Sequence, residues 1–144
     1  MKLKILQIRE PLGYAANSPD FVARIMAEEG KADRECFWVI HLNVANTIIE
    51  KELVSMGTVS SSLIHPREVF KKAIVNGAAS IITVHNHPGG QDMPSQDDKT
   101  IWARLDEAGK TLGIQVLDHL IITPSGKYYS HKGENTLGKN GKEA

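Results

Sequence analysis

The run from Ala79 to Val84 limits the fold of this chain more than any other feature of its sequence. It is a compact apolar run with no polar alternation, which is typical of a strand covered on both faces of a sheet. Residues 85–94, rich in histidine, proline and glycine, follow directly, and a helical pattern opens at Ser95. The sequence therefore predicts a buried central strand, a loop and a helix, in that order.

The rest of the chain alternates between helical and strand-like patterns. Predicted helices cover residues 18–29 and 66–74 and the segment that starts at Ser95, while predicted hairpins join 35–42 to 47–56 and 114–123 to 127–130. A length of 144 residues fits one domain. We therefore predict an α/β fold in which a mixed β-sheet is flanked by helices.

This pattern divides the chain into three parts. Residues 1–33 form an N-terminal segment with a helix, which we expect to pack on the domain. Residues 34–131 form the domain itself. Residues 132–144 carry glycines among polar residues, which predicts a flexible C-terminal tail.

Charge and cysteine content narrow the classes of partner and compartment. Seventeen basic and seventeen acidic side chains give a formal net charge of zero, so nucleic acid is not favoured as a partner. No stretch approaches the ~20 apolar residues of a membrane-spanning helix, which argues against a membrane partner.

The start of the chain does not resemble a secretory signal, and the single Cys36 suits a reducing compartment, so we expect a cytoplasmic protein. Exposed strand edges would allow a homodimer.

Two histidines and an aspartate have the spacing of a metal site. Side chains at i and i+2 of a strand point the same way, so His85 and His87 can face one point at the end of the central strand. Asp98, one turn into the next helix, can return a carboxylate to that point. Zinc accepts neutral imidazoles and carboxylates, and three protein ligands leave its fourth position open for water, as in catalytic sites. The predicted reaction is a hydrolysis.

Each half of this pattern also has a structural interpretation. A His-x-His pair is common in loops, and Ser95-x-x-Asp98 is the capping-box pattern that begins many helices. The two interpretations of Asp98 are compatible, because the helix dipole keeps a carboxylate in the first turn ionised. We favour the metal site, because spacing and ligand type agree.

A family resemblance rests on the same residues. His85, His87, Ser95 and Asp98 fit the JAMM signature, H-x-H, seven residues, S-x-x-D. The asparagine between the histidines, together with the segments HPRE at 65–68 and LDHLI at 117–121, resembles the RadC branch of that family. The resemblance covers residues 34–130. It implies a JAB/MPN-like catalytic domain, an α/β sandwich similar to that of cytidine deaminases, and a zinc metallohydrolase that cleaves peptide or isopeptide bonds in a protein or peptide substrate.

The resemblance also implies two catalytic residues. It places an acidic general base on an early strand, which here falls on Glu35, and it assigns Ser95 a hydrogen bond to the oxyanion, a role whose loss can cost ~10²–10³ in rate. Without the resemblance, Glu35 would be an ordinary exposed residue beside Arg34. Other carboxylates rank lower as the base: Glu28, Glu29 and Glu50.

Several remaining residues have mainly structural interpretations. Asp118 and His119 could orient a ligand imidazole, but a histidine with satisfied hydrogen bonds within a strand is favoured. Cys36 and Trp102 are predicted to be buried core residues. Gly89 stands where the RadC branch usually has serine, a difference expected to alter loop flexibility or substrate contact.

A second class of function stays open. The RadC resemblance is compatible with a DNA-repair or DNA-transaction accessory protein, or with an interaction module without catalysis. The neutral charge weighs against DNA binding. The helix-hairpin-helix region of full-length RadC proteins does not precede the domain in this sequence, which weakens the DNA-repair alternative.

Overall fold

The computed structural model describes residues 16–133. Its elements are α1 (Pro19–Ile25), a 3-10 helix (Glu29–Lys31), β1 (Glu35–Leu42), β2 (Ile48–Gly57), α2 (Pro66–Val75), β3 (Ser80–Asn86), α3 (Gln96–Leu112), β4 (Gln115–Ile122) and β5 (Tyr128–Ser130). Both predicted hairpins and all three predicted helices are present. Among the described residues, no helix is long and apolar enough to cross a membrane.

The five strands form one mixed sheet in the order β2-β1-β3-β4-β5. Strand β1 runs antiparallel to β2 and β3, β3 runs parallel to β4, and β5 returns antiparallel to β4. This confirms the predicted α/β fold with a mixed sheet. Strand β3 lies in the middle and every one of its residues is buried, as its apolar run predicted. It continues to Asn86, so that His85 lies within the strand.

Helices cover both faces of the sheet, because strand side chains alternate between the faces. On one face Val22 of α1 and Met26, directly after α1, join a core that includes Trp38, Ile82 and Val84. On the other face α2 and α3 pack on a second core, whose largest members are Phe37, Phe70, Ile81, Trp102 and Leu105. The buried positions of Trp102 and Cys36 confirm their prediction as core residues.

The first helix is shorter than predicted. Ser18 caps it, since its hydroxyl accepts a hydrogen bond from the Phe21 amide at 3.1 Å, but the α-helix ends at Ile25 instead of residue 29. The chain then turns onto the sheet, where Gly30 lies so close to β4 that an added Cβ would be 3.0 Å from the Thr123 carbonyl oxygen. A helix continued to residue 29 does not allow this turn.

The predicted flexible tail, residues 132–144, falls mostly outside the described residues. Its first two residues are fastened to the domain. The Lys132 amide donates to Asp118 Oδ1 at 2.8 Å, and the Gly133 amide donates to Ser130 Oγ at 3.0 Å. The predicted N-terminal segment is described from Ala16 onward, and Ala16 is buried in the core beneath α1.

Candidate metal centre

The end of β3 directs its side chains alternately to the two faces of the sheet. His85 and His87 share the face covered by α3, while Asn86 between them points to the opposite face. There the Asn86 side chain accepts a hydrogen bond from the Cys36 amide at 2.7 Å and donates to the Arg34 carbonyl at 3.0 Å. Asn86 therefore fixes the end of β3 to the start of β1.

The carboxylate of Asp98 is held by the start of α3. Ser95 Oγ accepts a hydrogen bond from the Asp98 amide at 3.0 Å, and the Ser95 amide donates to Asp98 Oδ2 at 2.9 Å. This reciprocal pair is the predicted capping box. Because both bonds lie within one turn, the carboxylate is oriented before any ligand arrives.

Two imidazole nitrogens and the two oxygens of one carboxylate converge at similar distances. His85 Nε2 lies 3.3 Å from His87 Nε2 and 3.3 Å from Asp98 Oδ1, and His87 Nε2 lies 3.4 Å from Asp98 Oδ2. Ligand atoms at ~2.0–2.1 Å from one tetrahedral ion are roughly 3.3–3.4 Å apart. The group could therefore hold a metal ion, and its mixture of imidazole and carboxylate donors fits a first-row divalent ion.

Hydrogen bonding leaves the correct nitrogen of His87 for a metal. Its Nδ1 lies 2.7 Å from the carbonyl oxygen of Gln91. A carbonyl oxygen only accepts, so Nδ1 carries a hydrogen, and Nε2, on the side of Asp98, is the nitrogen left for a metal. Such a partner on the second nitrogen is a common feature of metal-binding histidines.

Packing, by contrast, orients His85. The ring is buried and stacks near Phe37, with centroids 6.0 Å apart, and lies 6.1 Å from Trp102. Among residues 16–133, neither His85 Nδ1 nor the indole nitrogen of Trp102 has a hydrogen-bond partner. The polar contacts of the His85 ring are thus concentrated on Nε2, at the shared point.

The short distances between these side chains shift the pKa values of Asp98 and His87. Burial alone would raise the pKa of Asp98, but hydrogen bonds from His85, His87 and the Ser95 amide outweigh it and hold that pKa well below its usual range. The hydrogen bond to Asp98 raises the pKa of His87, although burial opposes it. A proton and a metal ion therefore compete for His87, because a ligand imidazole is neutral.

Glu35 faces the same point from β1. Phe37 pairs with His85 in the antiparallel register, and continuing that register by two residues places Glu35 opposite His87 on the same face. Glu35 Oε1 accepts a hydrogen bond from the Val59 amide at 2.9 Å. The carboxylate is thus held at the site by the loop after β2.

The other acidic candidates lie elsewhere. Glu29 pairs with Lys51 at 2.6 Å, and Glu50 pairs with Lys72 at 2.7 Å. Glu28 is an exposed residue whose carboxylate is 3.7 Å from a lysine ammonium. Of the four glutamates, Glu35 is the one that lines a cleft together with His87 and Asp98. The structure thus agrees with the preference for Glu35 over the other three.

An open cleft of about 550 Å³ lies beside the converging atoms, with His87 and Asp98 in its lining. The described residues that line it are Glu35, Val59, His87, Pro88, Gly89, Gln91, Met93, Pro94, Ser95 and Asp98. None of them is a lysine or arginine. Ser95 Oγ accepts from the Asp98 amide, so its own hydrogen is available to a group in the cleft. A Cβ at Gly89 would meet nothing within 4 Å, so the serine usual in the RadC branch would fit here.

Asp118 and His119 do not orient a ligand imidazole. His119 is buried and bonded at both nitrogens, to Thr83 Oγ1 at 2.6 Å and to Asp106 Oδ1 at 2.9 Å. Asp118 accepts from the Ser130 hydroxyl and from the His119 amide. This confirms the favoured interpretation of His119 as a satisfied strand histidine.

Sequence reasoning missed the residues that surround Glu35. Asn86 and Asp97 are not among the converging groups. Asn86 fixes the start of β1, which carries Glu35, and Asp97 fixes the loop that carries Val59. Asp97 does so by binding Ser61, which is 36 residues away. The sequence holds no local signal for such a pair, because neither periodicity nor spacing relates the two residues.

Comparisons with known proteins identify the relatives of this chain. A family model described as a RadC-like JAB domain matches residues 16–136. A UPF0758 protein of Finegoldia magna is 47% identical over 130 residues, which cover 89% of this chain and 58% of that protein. UPF0758 proteins of Rubrobacter xylanophilus and Methanosarcina acetivorans are 50% identical over 105 residues and 40% identical over 127 residues. These matches cover 73% and 88% of this chain, and 45% and 55% of the relatives. The chain thus spans about half the length of these relatives.

Proposed function

We propose that this chain, which belongs to the RadC-like JAB domain family, is a zinc-dependent hydrolase of peptide or isopeptide bonds. The observation that carries the proposal is the triangle formed by the His85 imidazole, the His87 imidazole and the Asp98 carboxylate. The two Nε2 atoms are 3.3 Å apart, and they lie 3.3 Å from Asp98 Oδ1 and 3.4 Å from Asp98 Oδ2, respectively. Zinc favours such a set of donors at these spacings. The side of the triangle that faces the cleft leaves room for a substrate.

The choice of zinc follows from the donor atoms. Calcium and magnesium prefer oxygen ligands, and magnesium requires an octahedral site. Two imidazoles and one carboxylate in a compact triangle instead suit tetrahedral zinc, with one position open. When bound, such an ion lowers the pKa of a water molecule toward ~7 and polarises a substrate carbonyl.

Glu35 is proposed as the general base. Because the Val59 amide occupies Oε1, Oε2 is the atom that would take a proton from the attacking water. The same atom would then give that proton to the leaving nitrogen, as general acid–base catalysis of amide hydrolysis requires. Ser95 is proposed to donate its hydroxyl hydrogen to the carbonyl oxygen as that oxygen gains negative charge.

The charge of the cleft supports a neutral scissile group. Glu35 and Asp98 place two carboxylates at the site, and the described lining contains no cation to bind a phosphate. A phosphodiester would meet like charge without a compensating lysine or arginine. Peptide and isopeptide bonds carry no charge at the reacting carbonyl, so we propose a protein or peptide as the substrate.

The direct test measures metal content and hydrolysis together. Protein purified without added metal is analysed by mass spectrometry, then incubated with a panel of peptides and lysine-linked isopeptides. We expect about one zinc per chain. The variant Glu35→Gln should keep the zinc and lose roughly 10²–10⁴ in rate. Glu28→Gln, which changes an exposed glutamate outside the cleft, is the matched control and should behave as the wild type.

Two outcomes would count against the proposal. A wild type with stoichiometric zinc that hydrolyses none of the amides would leave the metal without the proposed reaction. Binding to duplex DNA with an affinity that falls steeply with salt would favour the DNA-accessory alternative.

A further inference from the structure

The loop after β2 controls the position of the proposed base. This loop, residues 58–65, joins β2 to α2 and passes beside the start of β1. Its contact with Glu35 is one backbone hydrogen bond, from the Val59 amide to Oε1 at 2.9 Å. Val59 also lines the cleft. A shift of the loop would therefore move or release the carboxylate.

Hydrogen bonds in turn fasten the loop to α3 at Ser61. The Ser61 amide and hydroxyl donate to the two oxygens of Asp97 at 2.8 and 2.6 Å. Arg104 Nη1 donates to the Ser61 carbonyl oxygen at 2.7 Å. All the backbone polar atoms of Ser61, and its hydroxyl, are thus bonded to one helix.

The first turn of α3 carries both connections. Consecutive helical residues are rotated by about 100°, so Asp98 points into the site while Asp97 points to the loop. Both Asp97 oxygens are used by Ser61, and those bonds lower the pKa of Asp97. The helix is already capped by Ser95 and Asp98. An acidic residue at position 97 is thus not needed to begin the helix.

We propose that Asp97 is a positioning residue that holds Glu35 over the site through Ser61 and the Val59 amide. The first turn of α3 then positions two carboxylates: Asp98, the proposed metal ligand, directly, and Glu35, the proposed base, through the loop. This inference rests on the proposed function, since the position of Glu35 matters to the reaction only if Glu35 serves as the base. The connection itself can be measured without any metal or substrate.

The test follows the Val59 amide by hydrogen exchange in the whole chain. In Asp97→Ala, the loss of both bonds to Ser61 should speed exchange at Val59 by roughly fivefold to tenfold, the effect of one lost hydrogen bond. Ser61→Ala removes one of the two bonds and should give a smaller change. Asp97→Asn keeps an acceptor for the Ser61 amide and should restore most of the protection. Ser62→Ala, in the same loop, is the matched control.

A spectroscopic measurement separates positioning from a general structural effect. Cobalt replaces zinc in the wild type and the variants, and its visible absorption reports the surroundings of the metal. Asp97→Ala should change the cobalt spectrum as Glu35→Ala does, and the double variant should add no further change. Asp97→Asn should return the spectrum to that of the wild type.

The outcomes distinguish this inference from the proposed function. Val59 exchange that is alike in the wild type and Asp97→Ala would overturn the role of Asp97, whatever the metal does. A cobalt spectrum unchanged by Asp97→Ala but changed by Glu35→Ala would also overturn it. A wild type that binds no metal would overturn the proposed function, while the exchange at Val59 would still decide whether Asp97 holds the loop.

Discussion

Two groups of histidine and carboxylate lie on the same face of the sheet, and they differ in how their atoms meet. In one, His119 bonds to Thr83 at 2.6 Å and to Asp106 at 2.9 Å, so each contact is a hydrogen bond between two partners. In the other, His85 and His87 meet Asp98 and each other at 3.3–3.4 Å, all around one point. Ion-pair hydrogen bonds are normally 2.7–2.9 Å long. The longer, equal spacing is that of ligands around an ion.

The pKa values of the histidines also shift in opposite directions in the two groups. Burial lowers the pKa of His119 to about 4, although the hydrogen bond to Asp106 opposes this, so the ring is neutral and both nitrogens are satisfied. His87 has a raised pKa because of its bond to Asp98. One group is therefore complete within the protein, while in the other the hydrogen bond to Asp98 favours a proton on His87 where a metal could bind. A histidine–carboxylate contact alone does not identify a metal site.

The largest effect should follow from removing the ligand charge of Asp98. The substitution Asp98→Asn keeps an oxygen that can accept from the Ser95 amide, so the helix should still begin normally. Metal affinity should fall by more than the ~10–100-fold typical of a lost outer-shell partner. Competition with a chromophoric chelator measures this. Unchanged affinity would show that the converging atoms are not the ligands.

The matched change in the other group should affect stability and leave the metal site intact. His119→Ala leaves the buried Thr83 hydroxyl without its partner and opens a cavity where the buried ring was, while Asp106 keeps its contact with Lys132. The free energy of unfolding should fall by about 3 kcal/mol. Chemical denaturation measures the loss, and metal content should stay as in the wild type. A variant of normal stability that lost the metal would reverse the assignment of the two groups.

The pH dependence should also differ between the groups. Metal affinity should fall by about tenfold per pH unit once the pH drops below the raised pKa of His87, because the proton competes with the ion. The free energy of unfolding should fall as the pH drops from 6.5 toward about 4, because the unfolded chain then binds a proton that folded His119 rejects. His119→Ala should remove that part of the stability loss while the pH dependence of metal affinity remains. If metal affinity and the free energy of unfolding shared one pH dependence, the distinction between the two groups would be contradicted.

The sequence predicted the features that depend on neighbouring residues. The apolar run before His85 indicated the central strand, the alternation of strand side chains placed His85 and His87 together, and Ser95-x-x-Asp98 indicated the capping box. Each of these patterns spans only a few positions. The side-chain periodicity of a strand or a helix is therefore enough to predict them.

Contacts between distant segments could not be predicted in this way. Asn86 joins β3 to residues about fifty positions earlier, and Asp97 binds Ser61 across 36 positions. The proposed role of Glu35 rests on the family resemblance, because an acidic residue at the start of a strand has no pattern of its own. Its place in the cleft became visible only with the register of β1 and β3.

X-ray absorption at the zinc edge, on protein purified without added metal, tests the central claim most directly. We predict about one zinc per chain, with two imidazole nitrogens and light oxygen ligands at ~2.0–2.2 Å. The same measurement on Asp98→Asn should show the zinc lost or its coordination changed. A wild type that binds no zinc even when it is supplied, or zinc that keeps the same coordination in Asp98→Asn, would contradict the account.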